Sequence, residues 1–225
     1  MSSGQPSAAA LADVLGRIER ARAAAIQPSP STTLVAVSKT HPAERILPLL
    51  DAGQRIFGES RVQEAKAKWE PLRSGYRGIE LHLVGPLQTN KVRDAVQLFD
   101  AIQSLDRPRL AHALKEEFSG HDRRPVLFIQ VNTGEEPQKS GVGIQDAPDF
   151  ISFCRDRLAL PVRGLMCIPP LNQPAAPHFA LLQKLAHEAR LPLLSMGMSG
   201  DFEAAIKFGA THVRIGSALF GGREV

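Results

Sequence analysis

The sequence predicts an α/β fold, a single (β/α)8 TIM-type barrel with an extra N-terminal helix, spanning residues 1–225 as one domain. Three observations predict it. Eight short apolar, β-branched runs alternate with longer segments of helical periodicity, the pattern of βαβ units and a parallel sheet. The length, 225 residues, suits a barrel folding as one domain of about 200–250 residues. The turn after the first apolar run reads Ser38-Lys39-Thr40-His41-Pro42, where an open dinucleotide-binding sheet would want GxGxxG. Neither that fingerprint nor GxxxxGK[ST] occurs in the chain.

The first element is an amphipathic helix over 8–26, with Leu11, Val14, Leu15 and Ile18 at helical spacing. The Pro/Ser stretch 27–31 ends it, and residues 1–10, rich in Ser, Gly and Ala, are expected to be disordered. Strands are expected over 33–38, 55–57, 80–84, 101–103, 126–131, 162–166, 193–195 and 212–215. Helices are expected over 42–52, 61–69, 90–98, 108–118, 147–157, 175–189 and 202–208. The second and fourth strands carry the weakest signal.

With 43% hydrophobic and 22% charged residues, the composition is that of a soluble globular protein. The net charge of +4 is spread along the chain, without the basic run or aromatic platform of a nucleic-acid binder. No nucleic-acid partner is expected, and a mildly cationic surface suits a phosphate-bearing small molecule. Two cysteines without a secretion signal argue against a disulfide framework and for a cytoplasmic setting. No stretch reaches the roughly 18 apolar residues of a membrane span, so no membrane partner is expected. A monomer is expected.

In such a barrel the site is built from the C-terminal ends of the strands. Lys39 follows the apolar run Leu34-Val35-Ala36-Val37, where desolvation would lower an ammonium pKa and make a Schiff-base nucleophile. The plain alternative is a surface lysine ending a strand. Ser199-Gly200-Asp201 and Gly216-Ser217 open the helices after strands seven and eight, the usual phosphate position of this fold. Simple N-capping by Ser199 and Ser217 is the alternative.

Arg214 alternates with Val213 and Ile215 and so points into the barrel, toward a bound ring nitrogen or toward a structural ion pair with Glu203 or Asp201. His82 lies mid-strand, where a satisfied core histidine is the usual case. No metal is expected, because no second ligand stands at metal-site spacing. Cys167, at a strand end, reads as a small buried hydrophobe.

These segments resemble the pyridoxal phosphate (PLP) homeostasis proteins, a family related in fold to the N-terminal barrel of alanine racemase. The resemblance runs from Thr33 onward. It is carried by Val35-Ala36-Val37-Ser38-Lys39-Thr40, by the stretch from Phe57-Gly58-Glu59-Ser60 to Glu64, and by His82-Leu83-Val84-Gly85-Pro86-Leu87 through Lys91. Lys139-Ser140-Gly141, Gly164-Leu165-Met166, Ser195 to Asp201, and Val213 to Gly221 continue it.

The resemblance implies that Lys39 holds pyridoxal 5'-phosphate as a Schiff base, and that Ser199, Gly200, Gly216 and Ser217 hold its phosphate. It further implies that Arg214 faces the pyridine nitrogen and that Ser60, His82 and Met166 complete the cofactor contacts. Two positions depart from the pattern: Ser60 stands where the family usually has Asn, and Cys167 where Thr or Ala is common.

The implied function is PLP homeostasis, buffering or delivering the cofactor without catalysis, with PLP-dependent apoenzymes as candidate recipients. The competing expectation is an amino-acid racemase of the alanine racemase type. A two-base racemase needs an acid/base facing the lysine, and the only tyrosine, Tyr76, falls in a helix-to-strand loop, the far face of a barrel. Lys139 is a solvated loop charge or a transient second docking point for PLP.

Overall fold

The computed structural model describes residues 6–26, 28–120 and 122–221. Helix α1, Ala8–Ala23, begins on Ser7, whose side chain accepts from the Ala10 N–H at 3.1 Å. The expected disorder therefore does not extend through 8–10. Residues 1–5 and Gln27, the first residue of the expected helix-ending stretch, lie outside the described residues. Leu11, Val14, Ile18 and Ala21 form the buried stripe of α1, spaced at three and four as packing of one helical face requires.

Eight parallel strands close a barrel in sequence order: β1 Thr33–Val37, β2 Ile56–Glu59, β3 Glu80–Leu83, β4 Ala101–Leu105, β5 Val126–Gln130, β6 Val162–Met166, β7 Leu193–Ser195 and β8 His212–Ile215. β1 closes the ring on β8, with Val35 opposite Arg214. Most strand residues are buried, with Arg163 of β6 an exposed exception, which is why most of the strands read as apolar runs. Between them lie α2 Ala43–Asp51, α3 Val62–Gly75, α4 Val92–Leu98, α5 Pro108–Gly120, α6 Ala147–Ser152, α7 Ala175–Glu188 and α8 Phe202–Lys207, and one turn, α9 Ser217–Phe220, follows β8.

The departures from expectation have physical causes. β2 and β4 run two residues further than their apolar patterns suggest, because Glu59 and Ser104 are polar side chains buried within the barrel wall. α3 continues through Pro71 to Gly75, held by buried Trp69 and Leu72 on its inner face. The helix expected over 147–157 is α-helical only through Ser152 and finishes as a π-turn, Phe153–Arg157. Residues 89–91 form a 3-10 turn, which takes in the first two residues of the helix expected over 90–98. α1 packs on α8, where Arg17 pairs with Glu203 at 2.5 Å and lies over the Phe202 ring.

Candidate functional site

A cavity of about 380 Å³ opens at the C-terminal ends of the strands, within the range of small-ligand pockets. Six residues singled out in the sequence line it: Lys39, Ser199, Gly200, Arg214, Gly216 and Ser217. Val37, Val84, Ile168 and Met198 supply apolar wall, and Thr40, His41 and Gly221 complete it. His41 stacks on Phe220 at 4.8 Å between ring centroids.

Lys39 sits in the turn between β1 and α2, and both of its neighbours are fixed by β2 and α3. Ser38 donates its hydroxyl to Glu59 Oε1 at 2.7 Å. The Lys68 ammonium donates to Ser38 O at 2.9 Å, Glu59 Oε1 at 3.0 Å and Glu64 Oε1 at 3.1 Å. The Thr40 N–H donates to Glu64 Oε1 at 2.7 Å. Thr40 has φ 66, a left-handed conformation costly for a β-branched residue, and the Glu64 acceptor holds it there.

Glu59 is fully buried and also accepts from Trp69 Nε1 at 3.0 Å, leaving Oε2 without a hydrogen bond. Partial burial works to raise the Glu64 pKa; the Thr40 N–H, Lys68 and Arg61 outweigh it and hold the carboxyl below its ordinary value. Sequence reading missed Lys68. Its only signal is a Glu64–Lys68 spacing of four, which on most helices marks a solvated face.

The loops after β7 and β8 form the opposite wall. Gly197, at φ 91, packs so closely on Phe202 and Ala205 that a Cβ would meet Ala205 Cβ at 2.6 Å. The chain then turns through Met198, whose N–H donates to Asp201 Oδ1 at 2.6 Å. α8 starts at Phe202, so Ser199 and Gly200 precede the helix and Ser199 does not cap it. Instead Ser199 Oγ accepts from the Ala218 N–H at 3.4 Å and links the two loops. A Cβ on Gly200 would meet nothing within 4 Å, so this backbone borders open space.

Arg214 is 5% exposed. It makes no ion pair with Glu203 or Asp201: Nη1 donates to Ser195 Oγ at 2.7 Å and Nη2 to Cys167 O at 2.8 Å. Glu203 is committed to Arg17 instead. Burial lowers the Arg214 pKa, and burial pushes the Cys167 thiol up to about 12.

Three residues expected at the site do not line the cavity. His82 is buried in the barrel interior, with Gln103 Nε2 2.8 Å from Nδ1 and Glu80 Oε1 2.8 Å from Nε2. Met166 is fully buried against Ala101 and Phe128. Ser60 packs its backbone on Gly85, where a Cβ would lie 2.3 Å from Ser60 O. Lys139 borders an adjoining cavity that shares Val84 and Ile168 with the first, and it pairs with Glu136 at 2.5 Å. Tyr76 lies between α3 and β3 and donates to Asp51 Oδ1 at 2.5 Å, so it belongs to the other end of the barrel.

Among the described residues no group of three or more His, Cys, Asp or Glu could hold a metal ion, and no helix is long and apolar enough to cross a membrane.

The chain matches the family model for the alanine racemase N-terminal domain over residues 11–224. It is 38% identical over 229 residues to the pyridoxal phosphate homeostasis protein of Escherichia coli (strain K12), covering 95% of each chain. The chain belongs to the pyridoxal phosphate homeostasis protein family. Its relative of that name in Pseudomonas aeruginosa is 41% identical, over 95% of this chain and 94% of the other. PipY of Synechococcus elongatus PCC7942, solved with PLP bound, superimposes with a TM-score of 0.81 at 38% identity and covers 95% of this chain and 99% of its own. The family resemblance carried by the sequence motifs and the closed eight-stranded barrel both hold.

The residues present fit PLP. The cavity joins an amine, a guanidinium and a backbone-rich loop pair with two serine hydroxyls, matching an aldehyde, a ring nitrogen and a phosphate respectively.

Proposed function

We propose that this chain binds pyridoxal 5'-phosphate on Lys39 and serves PLP homeostasis, buffering or delivering the cofactor without catalysing a reaction of its own. The observation that carries the reading is that Lys39, Arg214 and the two loops after β7 and β8 line one cavity. The family membership and the PLP-bound relative support it.

The Lys39 amine would hold the cofactor through its aldehyde carbon, with the aldehyde oxygen lost as water, and addition of water would release the cofactor intact. Ser199, Gly200, Gly216 and Ser217 bind the phosphate through hydroxyls and backbone N–H groups. Bound PLP supplies an electron sink whose strength depends on the partner of its ring nitrogen. Arg214, a cation that can only donate, would hold that nitrogen unprotonated and the sink weak. The clamp on Ser38 and Thr40 orients Lys39.

His41, the imidazole on the cavity wall, issues from the same turn as Lys39, and Tyr76 belongs to the opposite end of the barrel. This supports carriage over two-base racemisation, which needs an acid and a base on opposed faces. PLP-dependent apoenzymes are the recipients the reading implies, and the cytoplasm is the compartment.

The test incubates PLP-loaded protein with L-alanine or L-serine and separates the enantiomers, and in parallel mixes it with a PLP-dependent apoenzyme. The expected result is no racemisation above that of free PLP, together with recovery of apoenzyme activity. Robust turnover of either amino acid overturns the carrier reading.

A further inference from the structure

An interior charge is strongly unfavourable unless compensated, and no carboxylate touches the buried Arg214: Asp201 favours its charged form only from a distance. Both Arg214 contacts, Ser195 Oγ and Cys167 O, are neutral. Beyond Ser195 the hydrogen bonds continue. Ser195 Oγ, having accepted from Arg214, donates to Gln103 Oε1 at 2.6 Å. That contact turns the amide so that Gln103 Nε2 donates to His82 Nδ1 at 2.8 Å. An accepting Nδ1 leaves the proton on His82 Nε2, which donates to Glu80 Oε1 at 2.8 Å.

Four strands contribute: Arg214 from β8, Ser195 from β7, Gln103 from β4 and His82 from β3. Glu80 opens β3 at the N-terminal end of the barrel, with its side chain 46% exposed, whereas Arg214 lines the cavity at the C-terminal end.

We propose that Ser195, Gln103 and His82 are positioning residues, forming a one-directional hydrogen-bond chain that couples the Arg214 cation at the cavity to the Glu80 carboxylate at the opposite end of the barrel. Every donor lies on the arginine side of its bond and every acceptor on the carboxylate side. The bond dipoles therefore align and polarise one another, and the chain acts as an extended ion pair with three neutral links. Reversing any link sets donor against donor or acceptor against acceptor. The consequence for binding rests on the reading in which Arg214 meets the bound cofactor: a polarised, two-point-anchored guanidinium presents a fixed cation to the ring nitrogen.

The first measurement needs no cofactor. The unfolding constants of the PLP-free full chain are determined for wild type, Arg214→Leu, Glu80→Gln and the double variant. Coupling through the chain predicts that the two single effects fail to multiply, by about fivefold or more. Multiplicative effects overturn the chain. If Arg214→Leu does not fold, Ser195→Ala replaces it in the same cycle with the same criterion.

The second measurement titrates PLP into wild type, Gln103→Leu and Glu80→Ala. It reads the dissociation constant and the pH midpoint of the bound chromophore's absorbance, with Lys39→Ala as the control. Gln103→Leu is expected to weaken PLP about tenfold and move the midpoint, with Glu80→Ala shifting both in the same direction by less. Folded variants with wild-type affinity and midpoint overturn the positioning role. A wild type lacking a Lys39-dependent band overturns the cofactor reading instead, while the cofactor-free cycle still decides the chain.

Discussion

The Thr40 N–H donates to Glu64 Oε1 at 2.7 Å, so the residue after Lys39 is held in its left-handed conformation by a carboxylate from α3. The same carboxylate accepts from Lys68, which also reaches Ser38 O and the buried Glu59. Lys39 is thus flanked by two residues tied to one buried charge cluster. Lys68→Met leaves the Glu59 carboxylate buried without its cation, a loss of about 3–5 kcal/mol. Denaturant unfolding should show a lower midpoint with an unchanged slope. Glu64→Gln keeps an acceptor for Thr40 and should lose about 0.5–1.5 kcal/mol.

His212 supplies a pH signature. Burial, with His82 and Arg214 nearby, lowers its pKa from 6.5 to about 3. Its Nδ1 lies 2.8 Å from Thr211 Oγ1, and its ring packs edge-on to Phe128. Between the two pKa values the unfolded chain binds a proton that the folded chain does not. Folding stability therefore falls as pH drops from about 6.5 toward 3, by up to about 1.4 kcal/mol per pH unit. His212→Asn should flatten that limb of the stability profile, measured by unfolding titrations at several pH values.

The two thiols should be inert in the folded protein. Cys154 and Cys167 are buried, and burial raises both to about 12. At pH 8 both stay protonated in the native state, so alkylation proceeds through unfolding. Native protein should resist a maleimide for as long as it stays folded, and two equivalents should react once denaturant is added. Because the unfolded thiols ionise near pH 8.5, their contribution to stability is present below that pH and lost as pH rises toward 12.

The anion wall makes a separate prediction. Ser199 Oγ links the two loops through the Ala218 N–H, and its removal deletes that link and, on the proposed reading, a hydroxyl donor to phosphate. Ser199→Ala should weaken PLP about fivefold to tenfold, with little change in unfolding midpoint. Inorganic phosphate should compete with PLP in wild type and less effectively in the variant, as read by absorbance titration.

The barrel was legible because most of its strand residues are buried and read as apolar runs, and the cavity lies at the C-terminal strand ends, where this fold usually places a site. Lys39, Arg214 and the paired loops, read from strand ends alone, line one cavity, and their chemical roles are what the family resemblance implies. What sequence could not show is polar chemistry inside the barrel wall. Gln103 and Ser104 look like the end of a strand until β4 is seen to run on to Leu105 with every residue buried. His82 and Met166 stand in strands whose neighbours reach the cavity, yet they lie in the barrel interior below it. Lys68 looks like a surface charge because nothing in a helical spacing tells that Glu59, nine residues earlier, is buried beneath it.

The most direct test of the central claim is the visible absorbance of the purified protein with PLP, before and after borohydride reduction, beside a Lys39→Ala variant. The account predicts a Schiff-base band in wild type that reduction fixes covalently onto the Lys39 peptide and that the variant lacks. A wild type without the band, or a variant that retains it, would contradict the assignment of Lys39 as the cofactor's anchor.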